Sequence, residues 1–535
     1  MRKDMRTGIE VPADIEEFDT AMAFVGELLE RASVSQEIIH ETMLVFETVF
    51  SSVLMQGIDR STMLNISAED RLGSIYLKID YEGKRFNPPD EDDDGIAPEL
   101  RLLEGYADKV SYSYRAGYNT IRISMRKSPR GFLLLCGVGI LVAIVAYSII
   151  SMLVSPVDQQ ILLDDYVFPL ERLFTNAMLM VGAPVTFFSL LKNTSDAVIV
   201  SERTLNAQKL HLKSLATSAF AILLALGLSL VVTLPFSGLG GYGMAFDGEH
   251  IGWTFAETVV SMVPASIVEP FAAMSPIPLI VVALLVTYAL ISAGRDFDAL
   301  KNAIDICYRL FSRMLSAVMV ALPVASFLAV LDILLNSDFE TLAYMLAFVL
   351  FAVACTCVLF ATYAIRLKAK GVKIGSFVKN LLPLLRENGA IGSAIDAAPY
   401  NIRYCVKHYG MDRSRLSRTL PLLAQINRDG NCFLLILIAA LYIFATGMEA
   451  STANIAVIAV MALFLSFGAP NQPGSILIGT LFIVNYLDSF DMICMAIYME
   501  VFLGGLQNII NVVGDIVMAT EDLGRASNPA DHAEA

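Results

Sequence analysis

The chain has 535 residues, 56% of them apolar, with a mean hydropathy of +0.61 and a formal net charge of −15. Such hydropathy excludes an ordinary soluble globule and fits a protein that spans a membrane. The acidic balance, with no cluster of Lys and Arg, argues against a nucleic-acid partner, whose phosphates require one.

Charge is unevenly spread: residues 1–130 carry 24 acidic and 16 basic side chains, whereas the much longer stretch 131–535 carries 29 and 22. The domain boundary is therefore expected near Arg130, giving a polar domain 1–130, an apolar domain 131–520 and a polar tail 521–535. A whole domain of polar sequence precedes the first apolar run, which is not how a cleaved signal peptide reads, so 1–130 is expected to be cytoplasmic. All seven cysteines lie in the apolar part without metal-ligand spacing, and read as packed thiols.

Within the polar domain, IEEFDTAMAFVGELLERA and SQEIIHETMLVFETVFSSVLMQG place apolar residues at helical spacing. STMLNISAEDRLGSIYLKIDYEG alternates as strands do, APELRLLEGYADKV reads as a further helix and YNTIRISMR as a strand. Helices followed by strands suggest an α/β sandwich.

The order of these pieces resembles the GHKL ATPase fold, in its anti-sigma-factor kinase branch, over most of residues 10–127. That resemblance makes Glu47 and Gly83 the candidate nucleotide residues, but the family's magnesium-binding Asn is here Ser51, a poorer ligand. Tyr81 stands where an Asp should contact adenine, in YEGKRFNPP, and the glycine-rich lid is reduced to Gly95 beside the acid run Asp90–Asp94, which would repel a triphosphate. The implied module is degenerate and regulatory, with ATP not expected as a cofactor; the acid run reads equally well as a solvated loop.

From Gly131 the run GFLLLCGVGILVAIVAYSIISMLV has no charge and is long enough to cross about 30 Å of hydrocarbon. Arg126, Lys127 and Arg130 precede it and put its start on the cytoplasmic side. Further runs follow at about 165–191, 210–236, 257–293, 303–335, 340–366, 417–447 and 488–520, and two interrupted ones at 376–400 and 452–487. The basic loops KLHLK and RLKAKGVK fall on the side that Arg130 predicts if eight spans alternate, with both termini cytoplasmic.

Interrupted apolar segments point to a transport site, because non-helical backbone survives in a bilayer only where it is buried or lines a cavity. In LSFGAPNQPGSILIG, Gly468, Pro470, Pro473 and Gly474 cannot sit in one continuous helix, which predicts two half-helices meeting at Pro470, Asn471 and Gln472. Asn427, Arg428, Asp429, Asn431, Gln507, Asn508, Asn511 and Asp515 are the polar positions deep in apolar surroundings, where ionised groups must be paired or bind an ion. Asn511 and Asp515 are spaced i, i+4 and share a helix face; with Asn427 and Asp429 they make an oxygen-rich set suited to a hard cation.

With these residues the chain resembles the dicarboxylate/amino acid:cation symporter family, which includes the glutamate and aspartate transporters, over nearly all of 131–520. The carrying motifs are MVGAPVTFFSLL, TSAFA, SMVPASIVEPFA, TLPLLAQINRDGN, SFGAPNQPG and NVVGD. The resemblance implies eight spans plus two re-entrant hairpins, in a homotrimer whose transport domain moves like an elevator within a cell (inner) membrane. It carries over as sodium ligands Thr217, Ser218, Asn427, Asp429, Asn511 and Asp515. On the substrate side it points to Ser393, Arg428, Asn431, Ser466, Gly468, Pro470, Asn471, Gln472, Gly504, Gln507 and Asn508.

Several of those substrate positions depart from the family pattern. Gly504 replaces the Asp that holds an amino group, Gln507 the Arg that holds a side-chain carboxylate, and Asn508 the following Thr; the first hairpin's tip keeps only Ser393 and gains Asp396. An α-ammonium group would lose its counter-charge, which argues against an acidic amino acid as substrate. Arg428, where the family has Met, has three readings: an anion-binding group, a tethered stand-in for a cation, or a fixed partner of Asp396 or Asp429. Asp429 and Asp515 also admit a purely structural hydrogen-bonding role, and Thr217 and Ser218 close helix packing.

The expectation is a non-enzymatic, sodium- or proton-coupled secondary transporter of a small polar or anionic organic solute, regulated through its cytosolic domain by a protein or ligand. The other reading is a membrane receptor that does not transport and signals through the kinase-like domain.

Overall fold

The computed structural model describes residues 8–14, 17–31, 36–55, 62–71, 74–83, 110–115, 118–125, 129–203, 205–230, 260, 262–292, 297–336, 339–391, 394–446, 452–470, 473–487 and 493–523. The chain divides into two compact units, one of residues 1–131, 395–421 and 522–535 and the other of 132–394 and 422–521.

In the first unit, β1 (Ile9–Pro12), β2 (Met63–Arg71), β3 (Ser74–Glu82), β4 (Val110–Arg115) and β5 (Tyr118–Met125) form one antiparallel sheet in the order β1-β2-β3-β5-β4. Alternation along the strands sends Leu64 and Ile66, Leu77 and Ile79, and Ile121 and Ile123 to the buried side, and the register pairs Ile66 with Ile79 and Ile79 with Ile121. The helices α1 (Phe18–Arg31) and α2 (Gln36–Met55) supply the other half of this core through Val25, Leu29, Phe46, Phe50 and Val53, with the rings of Phe18 and Phe50 5.6 Å apart.

Two strands, β1 and β4, were not legible in the sequence; β1 is only four residues long, and the segment read as a helix up to Val110 lies outside the described residues, apart from Val110, which begins β4. Tyr81 continues the inward row of Leu77 and Ile79 and is buried in the core. Glu47 is half-buried on α2, and the Gly83 carbonyl, just past β3, accepts from Asn119 Nδ2 at 3.5 Å. The side chain of Ser51, and Phe86, Pro88, Asp90–Asp94 and Gly95, lie outside the described residues.

The second unit is helical. From Pro129 onward the longer helices of the chain are α3 (Pro129–Leu153), α4 (Phe168–Arg203), α5 (Leu205–Ser229), α6 (Pro276–Ile291), α7 (Phe297–Met319), α8 (Leu322–Asn336), α9 (Phe339–Ala369), α10 (Ile374–Ile391), α11 (Ala394–Tyr409), α12 (Arg413–Ile426), α13 (Asp429–Thr446), α14 (Thr452–Phe467), α15 (Ser475–Tyr486) and α16 (Ile493–Leu523); nearly all of α11 and most of α12 belong to the first unit, and shorter helical pieces lie at Pro156–Leu162, Leu163–Val167 and Glu269–Ala272.

Among the described residues six stretches are long and apolar enough to cross a membrane, and a seventh is the α7–α8 pair, bent by 54°. Among the described residues the remaining apolar run, 257–293, yields a four-residue helix, Glu269–Ala272, and the sixteen-residue α6. Pro264, Pro270, Pro276 and Pro278 account for this, since each removes a donor and blocks helix on its N-terminal side. The chain is an integral membrane protein of the helical class, with a small sheet-bearing domain at its N-terminal end.

One ionic cluster holds the helices that later carry the site. Arg366 of α9 donates from Nε and Nη2 to the two carboxylate oxygens of Glu521 on α16, both at 2.9 Å, and Lys213 of α5 reaches Glu521 Oε2 at 2.7 Å. A bidentate Arg–carboxylate pair has fixed geometry, so it registers these three helix ends against each other.

Candidate functional site

The stretch Thr419–Phe444 is one span by hydropathy but two helices in fact, with Asn427 and Arg428 in neither. A helix break leaves backbone groups without intrahelical partners, and in an apolar interior these must be met by side chains. Ser214 of α5 donates its hydroxyl to the Ile426 carbonyl at 3.1 Å, and Asn511 Oδ1 of α16 accepts from the Gly430 amide at 2.8 Å. The break is thus built into the packing of α5, α12, α13 and α16.

Two carboxylates flank it. Asp429, buried at the first position of α13, accepts from Ser218 Oγ at 2.9 Å and from Tyr363 Oη at 2.6 Å. Asp515, buried on α16, accepts from Asn427 Nδ2 at 3.0 Å. That bond orients the Asn427 amide, and its Oδ1 is left buried with no hydrogen-bond partner among the described residues. An unmet buried acceptor costs about 1–3 kcal/mol, so a group carrying positive charge or a donor belongs against it. Thr217 Oγ1 donates to the Ser214 carbonyl at 2.9 Å and lies 3.8 Å from Met518 Sδ on α16.

A chain of amides runs from this point to the second hairpin. Asn511 Nδ2 and Gln507 Nε2 both donate to Asn431 Oδ1, at 3.0 and 2.7 Å, and Ser475 Oγ at the start of α15 donates to Gln507 Oε1 at 2.7 Å. Asn431 Oδ1 is saturated, while its Nδ2 is buried without an acceptor among the described residues. Among the described residues the site therefore holds a buried acceptor without a donor, on Asn427, and a buried donor without an acceptor, on Asn431.

The hairpin is built as its sequence predicts: α14 ends at Phe467, α15 begins at Ser475, and Gly474 between them has φ +97°, a conformation glycine adopts without strain. Gly468 abuts α4, where a Cβ would come within 3.0 Å of Thr186 Cγ2, and Asn193 Nδ2 of α4 donates to the Phe467 carbonyl at 2.6 Å. Ser466 donates to the Ala462 carbonyl of its own helix at 2.5 Å, and Pro470 is buried.

Glu500 of α16 completes this end. Its Oε1 accepts from the Gly474 amide at 2.7 Å and its Oε2 from the Leu477 amide at 2.8 Å, so a carboxylate of the chain itself caps the N-terminus of α15. Gly504, one turn further along α16, leaves it room: a Cβ there would lie 2.9 Å from Glu500 Oε1. Glu500→Gln can satisfy only one of the two amides, and is expected to destabilise the hairpin by about 1–3 kcal/mol. Hydrogen exchange at Gly474 and Leu477 checks this; protection equal to that of the unaltered protein would refute the capping role.

Residues 134–521 match the Sodium:dicarboxylate symporter family. The chain belongs to this family. It is also similar to a C4-dicarboxylate transport protein of Deinococcus radiodurans, 23% identical over 384 residues that make up 68% of this chain and 84% of that one.

For this symporter family member, the residues expected to hold a cation all come together: Thr217 and Ser218 on α5, Asn427 and Asp429 at the break, Asn511 and Asp515 on α16. Of the substrate-side positions, Asn431 and Gln507 join that network, Arg428 and Asn508 are buried beside it in sequence, and Gly504 serves the Glu500 cap. Ser466, Gly468 and Pro470 lie on the hairpin against α4. Ser393, Asn471 and Gln472 lie outside the described residues, as does the side chain of Asp396.

Sequence reasoning missed Tyr363 and Glu500. Glu500 carried a signal, an ionisable group within an apolar span; Tyr363 carried none, because one of two Tyr in a 31-residue helix is unremarkable without its partner Asp429.

Proposed function

We propose that this symporter family member is a cation-coupled transporter of a small polar or anionic organic solute other than an acidic amino acid. The observation that carries the reading is the pair of buried orphans at the broken span, Asn427 Oδ1 and Asn431 Nδ2. The donor set fits a hard cation: Asn427 Oδ1, the carboxylates of Asp429 and Asp515, Asn511 and the hydroxyls of Thr217 and Ser218 are all oxygen ligands. Sodium is the first ion to test and a proton the second; the bound ion would neutralise the two buried acids. Asn431 Nδ2 would meet an oxygen of the solute, and the Deinococcus radiodurans relative's name makes a C4-dicarboxylate the first solute to try.

The protein would work in the cell (inner) membrane as a homotrimer with both termini cytoplasmic, its transport elements moving as an elevator, with domains at 1–130, 131–520 and a tail at 521–535. The N-terminal domain would be a GHKL-like regulatory module that does without ATP, a view supported by Tyr81 being spent in the sheet core.

Uptake into proteoliposomes, with and without an inward sodium or proton gradient, tests the main reading; no ion-dependent uptake of any C4-dicarboxylate, other organic acid or polar solute would count against it. Arg428 is buried next to Asp429, and its guanidinium is suited to stand in for one cation. Arg428→Met is then expected to make uptake more steeply sodium-dependent, and an unchanged sodium dependence would sink that assignment.

One observation favours the second reading, a receptor that binds a ligand and signals without transporting it. Glu500 already fills the hairpin's amide cradle with a carboxylate, and Arg428 brings a built-in positive charge, so the site holds both charges without any ligand. Measured uptake in the same liposomes eliminates this reading.

A further inference from the structure

At the opposite end of α16 from Asp515, about 30 Å away by helical rise, three buried side chains from three helices converge. Glu171 in the first turn of α4, Asp332 on α8 and Cys494 at the start of α16 each bring a ligand atom within 4.8 Å of the other two. They are 1%, 6% and 8% exposed. Both carboxylate oxygens of Glu171 are buried and lack any hydrogen-bond partner among the described residues. Asp332 Oδ1 accepts from Asn336 Nδ2 at 2.9 Å, one turn along the same helix, which fixes the orientation of that carboxylate.

We propose that Glu171, Asp332 and Cys494 bind one divalent cation of the zinc type. The three groups offer only acceptors when ionised, and placing them together in an apolar interior needs a positive partner. The sulfur decides which cation: thiolate with carboxylate suits zinc, whereas sodium, magnesium and calcium take oxygen throughout. The Asn336 bond to Asp332 is the outer support that such ligands commonly have. Three protein ligands leave a fourth position open, and the ion would tie the start of α16 to α4 and α8, restraining any motion of α16 against them. This site shares no residue with the broken span, so it stands or falls independently of the proposed transport activity.

The test uses the full-length protein in detergent, stripped with a chelator and dialysed against zinc chloride or cobalt chloride. The unaltered protein is expected to retain one equivalent of zinc, and its cobalt form to show thiolate-to-cobalt charge-transfer absorption. Cys494→Ser should lose that absorption, and Glu171→Gln should weaken zinc binding at least roughly ten-fold, since even supporting residues cost that much. Both substitutions nearly preserve side-chain size, and elution as an unaggregated species verifies each fold. No zinc retained by the unaltered protein overturns the proposal, as does absorption that survives in Cys494→Ser. Equal zinc affinity in Glu171→Gln also overturns it, and would mean that the two acids share a proton instead.

Discussion

Asp429→Asn is expected to abolish stabilisation of the protein by sodium. In the unaltered protein an ion bound only to the folded state adds RT ln(1 + [Na⁺]/Kd), about 2.7 kcal/mol when sodium is at a hundred times its Kd, so thermal unfolding should shift upward with sodium concentration. The substitution keeps the shape of the side chain, and the two hydroxyls that face it, Ser218 Oγ and Tyr363 Oη, can each turn to donate or accept. What it removes is the negative charge beside Asn427. The unfolding temperature without sodium should therefore change little while the sodium-dependent rise disappears. A rise of the same size in Asp429→Asn would show that Asp429 is a structural hydrogen-bond acceptor and that any ion is held elsewhere.

The largest loss of stability is expected from Gly430→Ala. Gly430 is the second residue of α13, and its missing side chain is what lets the broken span lie against α16. A Cβ there would collide with the Gln507 carbonyl oxygen, and would also stand 2.9 Å from Asn511 Oδ1 and 3.0 Å from Ile510 Cβ. The first of these is backbone in the middle of a helix and cannot swing aside, so α13 and α16 must separate. Such overpacking typically costs about 1–3 kcal/mol and occasionally more, and here it also stretches the Gly430 amide bond to Asn511 and the amide chain beyond it. Gly182→Ala on α4 is the control, because its Cβ would meet Met274 Cε at an ordinary 3.4 Å; helix propensity makes it neutral or stabilising by up to about 1 kcal/mol. Thermal unfolding at one scan rate compares the two, and equal effects would refute the backbone-contact account.

How much of this was legible beforehand differs residue by residue. The apolar runs located the spans, because about twenty uncharged residues have few other uses, and the Gly and Pro of SFGAPNQPG located the half-helices α14 and α15, because proline and glycine act on the backbone where they stand. The spacing of Asn511 and Asp515 put them on one face for the same local reason. The fourth run was harder: four prolines interrupt its helix, and among the described residues it yields a four-residue helix, Glu269–Ala272, and α6. In the first unit the alternation of LNISAED and IYLKIDY was readable, while β1, four residues long, is a strand only because β2 offers it partners.

The cysteines show the limit most clearly. Cys494 has no second ligand nearby in sequence and reads as a packed thiol; the fold places it with Glu171 and Asp332, residues more than three hundred and more than a hundred and fifty positions away in the chain. By itself the sequence determined the membrane class, the family, the broken span and which polar residues lie in apolar surroundings, since each of these rests on local periodicity, local backbone restriction or a short motif. Only the tertiary structure decided which partners those residues have: Tyr363 against Asp429, Glu500 in the cradle of Gly474 and Leu477, two amides on Asn431 Oδ1, and, among the described residues, none for Asn427 Oδ1 and Asn431 Nδ2. Contacts between distant segments leave no periodic trace in any one of them, and in an interior where every unmet polar group costs free energy, it is the pairing that assigns each group its work.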